Sequence, residues 1–411
     1  MSSVAEPTPG TPAGVEAQSL GDALREWLRG LRGGELGSLP ILLGLVVIAI
    51  VFQTLNPNYL SPGNLVNLMV QMAAITVIAM GIVFVLLLGE IDLSVGYVSG
   101  VGGVTVALLL FQDGNELPGI VGVALALAIG AGIGFLHGLI ITKVRVPSFV
   151  VTLAGLLAWN GVVLLLMSGK GTVIIQDPLV IAIANAFLSQ TLGYAVILGA
   201  VGIYAVTELV ELRSRSKAGL PTPPLSLLAL RIAALAGVGV VVLYFAYQNR
   251  GIPYVAVLVV VLLVGLTFLA NRTRFGRHVY AIGGNTEAAQ RAGINVDRVK
   301  IAVFMIAGFM AALGGIVFAS RLTSVDTAAG GGQILLNSIA AAVIGGTSLF
   351  GGRGHVKSAL LGALIIASID NGMGLLGLSA GAKFVVTGLV LLAAVTVDAV
   401  SRRGRASSGR A

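Results

Sequence analysis

Residues 64–88 read NLVNLMVQMAAITVIAMGIVFVLLL, a stretch in which no side chain carries a charge. About 20 consecutive apolar residues suffice for a helix to cross the hydrocarbon layer of a membrane, and this stretch is longer than that. Similar apolar segments occur along the whole chain, and we predict twelve of them as membrane-spanning candidates. Their ranges are 39–55, 64–88, 94–111, 118–142, 147–168, 192–211, 226–247, 252–270, 299–320, 334–350, 358–378 and 383–399.

The composition agrees with a membrane protein. Of the 411 residues, 56% are hydrophobic and only 10% are charged, whereas about a quarter of the residues in a soluble domain are charged. The 57 glycines are also typical, because small residues let membrane helices approach each other closely. We therefore predict an all-α, polytopic integral membrane protein with about 10–12 transmembrane helices.

The positive charges predict the orientation in the membrane. If the N-terminus is cytoplasmic, twenty of the 25 Lys and Arg residues fall on the inner side, as the positive-inside rule requires. Both termini are then cytoplasmic. The chain divides into a partly disordered tail (1–38), a transmembrane domain (39–400) and a basic tail (401–411). These basic loops and tails explain the net charge of +8, so we expect no nucleic-acid partner.

Several kinds of site are not expected. The chain has no cysteine and only three histidines, which lie far apart in the sequence, so we expect no metal site. The segment GKGT at 169–172 superficially resembles a phosphate-binding loop, but Leu164 stands where that loop needs a glycine. We find no other nucleotide-binding motif, no catalytic residues and no cofactor site. If ATP drives this protein, another subunit must bind it.

Acidic side chains beside or within apolar segments are candidates for a functional site. A carboxylate at membrane depth is costly unless it has partners or lies in a wet cavity, so such residues mark transport pathways by default. For Glu90 and Asp92 a second interpretation stays open, in which both lie at a helix start and Asp92 caps the following helix. The predicted translocation-pathway residues are Glu90, Asp92, Ser94, Asp370 and Asn371.

Two short segments resemble each other. Residues 89–96 and 345–352 match at three positions with a constant offset, which would suit a parallel structural repeat of the kind found in transporters. A chance match in a chain rich in Gly and Leu is the alternative. The matching pairs are Gly89 with Gly345, Leu93 with Leu349, and Gly96 with Gly352.

The longest polar interruption of the apolar sequence is the loop 271–298, which we predict to be cytoplasmic. It contains the signals of a miniature helix from Thr286 to Ala292. Asn285 is a good N-cap, Glu287 lies in the first turn where the helix dipole favours an anion, and Gly293 is placed to end the helix. A helix this short is marginal in water. We therefore expect a partner protein to hold it.

Four stretches of the chain carry a family resemblance. In chain order they are GEIDLSVG at 89–96, VPSFVVTL at 146–153, FGRHVYAIGGNTEAA at 275–289 followed by AGI at 292–294, and VIGGTSLFGG at 343–352. Together they look like the signatures of the monosaccharide permeases of ATP-binding-cassette importers, over about residues 63–400.

Within that family the chain resembles the xylose-type branch. The segments RGIP at 250–253 and SIDNGM at 368–373 indicate this, as does the extra length between residues 169 and 250. The chain departs from the family pattern at two positions. Glu90 stands where the family usually has glycine, and His137 stands where many members have asparagine.

The resemblance implies a multi-pass permease subunit in the inner membrane of a bacterium, importing xylose or a related monosaccharide. Two permease chains would form the pathway, a pair of ATPase subunits would dock beneath them, and an extracytoplasmic sugar-binding protein would deliver the sugar. The permease itself would not be an enzyme. The residues expected to couple it to the ATPase are Arg277, Gly284, Asn285, Glu287, Ala288, Ala289, Arg291 and Gly293.

Two alternative functions stay open at this point. In a proton-coupled secondary sugar transporter, Glu90, Asp92 or Asp370 would relay the proton. A membrane scaffold or sensor would transport nothing.

Overall fold

The computed structural model describes residues 39–110, 117–220 and 222–390, together with residues 392 and 396. The predicted tails, 1–38 and 401–411, lie outside the described residues. The described chain is almost entirely helical, which confirms the predicted all-α class. The helices are α1 (Leu39–Leu55), α2 (Pro62–Leu87), α3 (Val95–Leu109), α4 (Gly119–Leu139), α5 (Ser148–Leu166), α6 (Pro178–Asn185), α7 (Gln190–Lys217), α8 (Leu225–Tyr247), α9 (Tyr254–Arg272), α10 (Arg274–Gly284), α11 (Thr286–Arg291), α12 (Val296–Leu322), α13 (Gln333–Ile344), α14 (Lys357–Leu375) and α15 (Ala380–Val390).

Each of the twelve predicted apolar segments contains a helix, which confirms the polytopic architecture. Within the described ranges, 8 helices are long and apolar enough to cross a membrane; they are α2, α4 with the π-helical turn Ile140–Val144 that follows it, α5, α7, α8, α9, α12 and α14. The other four, α1, α3, α13 and α15, are shorter. Since a helix rises about 1.5 Å per residue, the 12 residues of α13 cover well under the thickness of the hydrocarbon layer.

The described chain separates into two compact units. One consists of residues 189–244, apart from residue 221, and contains α7 and most of α8. The two helices of this unit are joined by an ion pair between Arg231 Nη1 and Glu208 Oε2, 3.7 Å apart. They also pack closely where Gly239 of α8 faces the side chain of Ile197 on α7.

The second unit holds all the other described elements, and its core surrounds α12. This helix packs against α4, α2 and α3, and glycines bring the backbones together. A Cβ atom added to Gly134 of α4 would lie 2.1 Å from the carbonyl oxygen of Phe304, and one added to Gly315 would lie 1.8 Å from that of Ser99 in α3. Such contacts are typical of membrane helices, whose association depends on close packing.

The remaining elements complete this unit around α2. Helices α13 and α14 pack against each other and against α2, and α9 contacts both α2 and α10. Two short antiparallel strands, β1 (Val173–Ile174) and β2 (Ser324–Val325), join the loop after α5 to the loop after α12. The predicted parallel repeat stays a prediction. The structure does bring its two segments together, with Gly89 beside Phe350 and Gly351.

Candidate functional site

Four segments meet at one end of the second unit, which we call the motif end. They are the family-like stretches 89–96, 146–153 and 343–352, and the loop 271–298 that contains the fourth stretch. The centre of the motif end is the segment between α2 and α3, residues 88–94. The backbone N–H of Gly352 donates to the carbonyl oxygen of Leu87 at 2.9 Å. The hydroxyl of Thr152 in α5 lies 3.2 Å from the carbonyl oxygen of Ile91 and 2.9 Å from that of Ser148 in its own helix. The backbone N–H of Ile91 donates to the hydroxyl of Ser148 at 3.4 Å. The short chain segments that carry the motifs are therefore hydrogen-bonded to one another.

Helix α10 lies against this centre. Thr273 caps its first turn by accepting a hydrogen bond from the N–H of Gly276 at 3.1 Å, and its buried face contains Gly276, Val279 and Ile282. Gly283 approaches α2 so closely that an added Cβ would lie 1.7 Å from the carbonyl oxygen of Leu87. No side chain larger than a hydrogen atom fits there without movement of α10.

Tyr280 of α10 makes a further link to the motif end. Its hydroxyl donates a hydrogen bond to the carbonyl oxygen of Gly354 at 2.8 Å. Burial raises the pKa of the Tyr280 phenol, so the group stays neutral and able to donate. Helix α10 is thus held both by its backbone and by a side chain.

Helix α11 follows α10 directly and confirms the predicted miniature helix. The side chain of Asn285 accepts a hydrogen bond from the N–H of Ala288 at 2.9 Å. At the other end Gly293 has φ +82°, and the N–H groups of Gly293 and Ile294 donate to the carbonyl oxygens of Gln290 and Ala289. This pair of bonds is the Schellman arrangement that ends helices at a glycine.

The predicted coupling residues fall into two groups. Ala289 is buried and packs inward, so it seats α11 on the rest of the protein rather than facing outward. The others are exposed, and Glu287 and Arg291 form an ion pair of 3.7 Å on the outer face. The exposed members are Arg277, Gly284, Asn285, Glu287, Ala288, Arg291 and Gly293.

Glu90 has a partner that the sequence did not indicate. Its carboxylate forms an ion pair with the ammonium group of Lys300 in α12. Both side chains are mostly buried, with 17% of Glu90 and 21% of Lys300 exposed. The charge of Glu90 is therefore neutralised within the motif end, beside the start of α12.

Asp92 lies at the start of α3 and is 5% exposed. One oxygen, Oδ1, accepts hydrogen bonds from the backbone N–H and the hydroxyl of Ser94, at 2.9 and 2.6 Å. The bond from the N–H of Ser94 forms a turn of the Asx type just before α3. The N-cap of α3 is Ser94, which makes no side-chain cap hydrogen bond, so Asp92 precedes the cap position rather than occupying it.

A chain of hydrogen bonds continues from Ser94 into the membrane-spanning region. Its hydroxyl lies 3.3 Å from Nδ1 of His137 on α4, and Nε2 of His137 accepts a hydrogen bond from the indole N–H of Trp159 on α5 at 3.0 Å. Because an indole N–H can only donate, His137 must carry its proton on Nδ1. The hydrogen bonds then all point the same way: Trp159 donates to His137, His137 donates to Ser94, and Ser94 donates to Asp92.

Trp159 is a residue that the sequence analysis missed. Together with residues of α3, α4 and α5 it lines an open, almost wholly apolar depression of about 540 Å³. None of the five predicted pathway residues is among those that line this depression. The lining residues are Val101, Thr105, Leu108, Leu109, Ile129, Gly132, Ile133, Leu136, Trp159, Val162 and Leu166. Nothing in the sequence points to Trp159 directly, although the resemblance singles out His137, which accepts the hydrogen bond of Trp159.

Asp370 and Asn371 lie at the opposite end of α2 from the motif end. Asn371 exchanges two amide hydrogen bonds with Asn64 of α2, at 2.7 and 2.9 Å, and donates a third to Gln71 at 3.2 Å. We call these three side chains the amide cluster. Asp370 lies 3.6 Å from the ammonium group of Lys383. The structure therefore does not bring this pair together with Glu90, Asp92 and Ser94.

Comparisons with known proteins agree with the family-like stretches. A protein family described as "Branched-chain amino acid transport system / permease component" matches residues 64–395. The xylose transport system permease protein of Escherichia coli (strain K12) is 37% identical over 91% of this chain and 94% of its own length. That of Haemophilus influenzae is 38% identical over 88% of this chain and 96% of its own length.

A ribose import permease is also similar. The protein from Escherichia coli (strain K12) is 33% identical over 87% of this chain and 92% of its own length. No solved structure matches the chain. Since both the family match and the xylose-type relatives cover most of the sequence, the chain belongs to the permease family of monosaccharide ATP-binding-cassette importers, in its xylose-type branch.

Proposed function

We propose that this chain is the membrane-spanning subunit that moves xylose or a closely related monosaccharide across the membrane, while a separate subunit hydrolyses ATP. The observation that carries the proposal is α11. It is a short helix with both ends capped, its outer face is exposed, and Ala289 seats it on the protein. An ATPase subunit that binds the surface formed by Glu287, Ala288 and Arg291 is then attached rigidly to the permease.

The motif end connects α11 to the membrane helices. Helix α10 leaves no room for a Cβ at Gly283, next to the end of α2, and Lys300 of α12 pairs with Glu90. Since packed elements of this kind move as bodies, a displacement of α11 carries the ends of α2 and α12 with it. Alternation between a state open to the cytoplasm and a state open to the outside then follows the ATPase cycle.

The proposed assembly contains two copies of the chain, a pair of ATPase subunits and an extracytoplasmic sugar-binding protein, with the motif end and both termini in the cytoplasm. The excess of Lys and Arg on this side supports the orientation. The choice of xylose rests on the names of the relatives, since xylose-type permeases share 37% and 38% of aligned residues with this chain and the ribose permease 33%.

The test measures uptake of labelled D-xylose into membrane vesicles that hold the chain with its ATPase subunit and binding protein. Uptake is expected to need ATP and to survive a protonophore. Glu287→Lys is expected to abolish both uptake and co-purification of the ATPase. The control is Asp326→Asn, which removes an exposed carboxylate beyond the C-terminal end of α12. It should leave uptake and co-purification unchanged.

Two results would contradict the proposal. Uptake that persists without the ATPase and collapses with the proton gradient would assign the chain to the proton-coupled transporters. A complete absence of flux, with all partners present and the chain correctly folded, would assign it to the scaffolds.

A further inference from the structure

The packing of α3 on α12 gives the depth of α3 in the membrane region. An added Cβ on Gly315 of α12 would lie 1.8 Å from the carbonyl oxygen of Ser99 in α3. Gly315 lies seven residues before the end of α12 at Leu322, which corresponds to about 10 Å along the helix. The residues of α3 before Ser99 lead back to the motif end, so Gly96 lies at least as far inside the outer end of α12 as Ser99 does.

The chain returns to this depth soon after it leaves α12. Residues 328–332 read AAGGG and pack directly on the backbone of α3. An added Cβ on Gly100 would lie 2.2 Å from the carbonyl oxygen of Ala329, and one on Gly96 would lie 2.9 Å from that of Gly330. We call residues 328–332 the re-entrant segment. Helix α13 follows it and leads back to the motif end, so this helix begins inside the membrane region.

The re-entrant segment is not helical, and its small residues present mainly backbone groups to their surroundings. Ala328 and Gly332 are exposed, and Gly332 has no side chain that could cap the first N–H groups of α13. Irregular backbone at membrane depth does not face lipid, because its polar groups would have no partner there. It is tolerated only where protein covers it or water reaches it. The exposed side of this segment therefore lies against water or against another protein chain.

Three partly buried polar side chains lie around the start of α13. The hydroxyl of Tyr97 on α3 lies 3.5 Å from the position of a Cβ on Gly331, and Gln333 and Asn337 share one face of α13 because they are four residues apart. No described residue forms a hydrogen bond with any of these three side chains. The amide cluster differs, because its side chains are hydrogen-bonded to one another. Unpaired phenol and amide groups at membrane depth are costly and mark functional positions.

We infer that the transported sugar passes along the re-entrant segment and is held at the start of α13 by hydrogen bonds to Tyr97, Gln333 and Asn337. A neutral polyhydroxylated molecule suits these groups, because phenol and amide side chains both donate and accept hydrogen bonds without carrying a charge. A few uncharged hydrogen bonds bind weakly, which suits a pathway that must release its cargo. The inference rests on the proposed function and adds the residues by which the permease contacts the sugar.

The first experiment uses the absence of cysteine from the chain. Asn337→Cys is placed in the complete transporter in nanodiscs, with ATP and the binding protein, and is treated with a charged methanethiosulfonate reagent. Only a thiol in contact with water ionises and reacts readily, so we expect labelling about tenfold faster than that of Leu157→Cys. Leu157 on α5 is the control because it is 66% exposed among apolar neighbours. D-xylose should slow the labelling of Asn337→Cys about threefold, whereas glycine betaine at the same osmolality should not. Mass spectrometry of the permease chain gives the rates.

Uptake measurements then test the contacts with the sugar. Gln333→Leu and Asn337→Leu are each expected to lower D-xylose uptake about tenfold while ATP hydrolysis continues, because each removes a hydrogen-bonding group. Asn337→Ser keeps such a group and should stay within about threefold of the parent. The control is Ser338→Ala, which removes a fully buried hydroxyl that has no partner among the described residues. It should leave uptake unchanged.

Three results would each overturn the inference. They are labelling of Asn337→Cys no faster than that of Leu157→Cys, labelling that D-xylose does not slow, and uptake by both leucine variants at the rate of the parent. Gln333→Cys repeats the labelling if Asn337→Cys does not assemble. If the parent transports D-xylose, any of these results removes the inference alone. If the parent transports no sugar with its partners present, the proposed function fails with it.

Discussion

The two ends of α2 are held in different ways. At the motif end the contacts are made largely by the backbone, because Gly283 abuts the carbonyl oxygen of Leu87 and the N–H of Gly352 donates to that same oxygen. At the other end the amide cluster holds α2 to α14 through side chains. Backbone contact leaves no freedom for side chains to adjust, whereas amides can rotate. The difference supports the proposal that the motif end transmits displacement, while the amide cluster joins α2 to α14.

The largest effect is expected at the backbone contact. Gly283→Ala places a Cβ 1.7 Å from the carbonyl oxygen of Leu87 and 2.6 Å from the nitrogen of Gly352, so α10 must move. Overpacking of this kind costs about 3 kcal/mol, and we expect a lower thermal unfolding midpoint in detergent. Gly284→Ala, whose Cβ meets no atom within 4 Å, is the matched control. Equal midpoints for the two variants would contradict a rigid contact at Gly283.

The amide cluster is expected to give the next largest effect. Asn371→Leu removes the hydrogen bonds that Asn64 and Gln71 make with it, although the Asn64 amide still donates to the carbonyl oxygen of Tyr59, and we expect a loss of about 2 kcal/mol. The double variant Asn64→Leu/Asn371→Leu should recover part of the loss, because it also removes the Asn64 amide oxygen that has lost its donor, while Gln71 lacks its donor in both variants. A double variant that is less stable by the full sum of the two single changes would show that the amides are not coupled. The measurement is again the unfolding midpoint.

The partly buried ion pair comes third. Glu90→Gln leaves the ammonium group of Lys300 without a counter-charge, and we expect a loss of about 1–2 kcal/mol. The control is Asp297→Asn, which breaks the ion pair between Lys143 and Asp297 at 2.9 Å with 59% and 44% of the side chains exposed. An exposed pair of this kind is worth less than about 1 kcal/mol. The interpretation fails if the control destabilises the protein as much as Glu90→Gln does.

The smallest effect on stability is expected on the outer face of α11. Glu287 and Arg291 are 83% and 84% exposed, so Glu287→Ala should change the free energy of unfolding by less than about 0.5 kcal/mol. A substantial drop in the unfolding midpoint would show that this face supports the fold rather than a partner. The same variant is expected to weaken co-purification of the ATPase, and the two measurements together separate folding from docking.

The sequence was sufficient wherever a structure depends on near neighbours. The caps of α11 lie within a few residues of the helix they end, so Asn285 and Gly293 could be identified from their positions alone. The apolar segments were found for the same reason. Hydropathy could not tell which helices form the core, since lipid is as apolar as a protein interior. Helix α2, with most of its residues buried, and α7, with almost none, are both apolar enough to span a membrane.

Contacts between distant segments could not be predicted. Glu90 and Lys300 are separated by 210 positions, and their pairing depends on how α12 packs against the segment between α2 and α3. The bond between Trp159 and His137 depends on the rotation of two neighbouring helices about their own axes. The sequence identified Asp92 and Ser94 as candidates because they are polar residues in an apolar region. It contained no signal that His137 would connect them to Trp159 on α5.

The ion pair at position 90 has a consequence for building hybrid importers. A graft that places glycine at position 90 would remove the carboxylate and leave the mostly buried ammonium group of Lys300 without its counter-charge. Such a hybrid needs a second substitution in α12, at a site 210 positions away along the chain. Segments exchanged between members of this family must therefore be chosen by their contacts in the folded protein. Residues 89–96 alone carry Glu90 but not its partner Lys300.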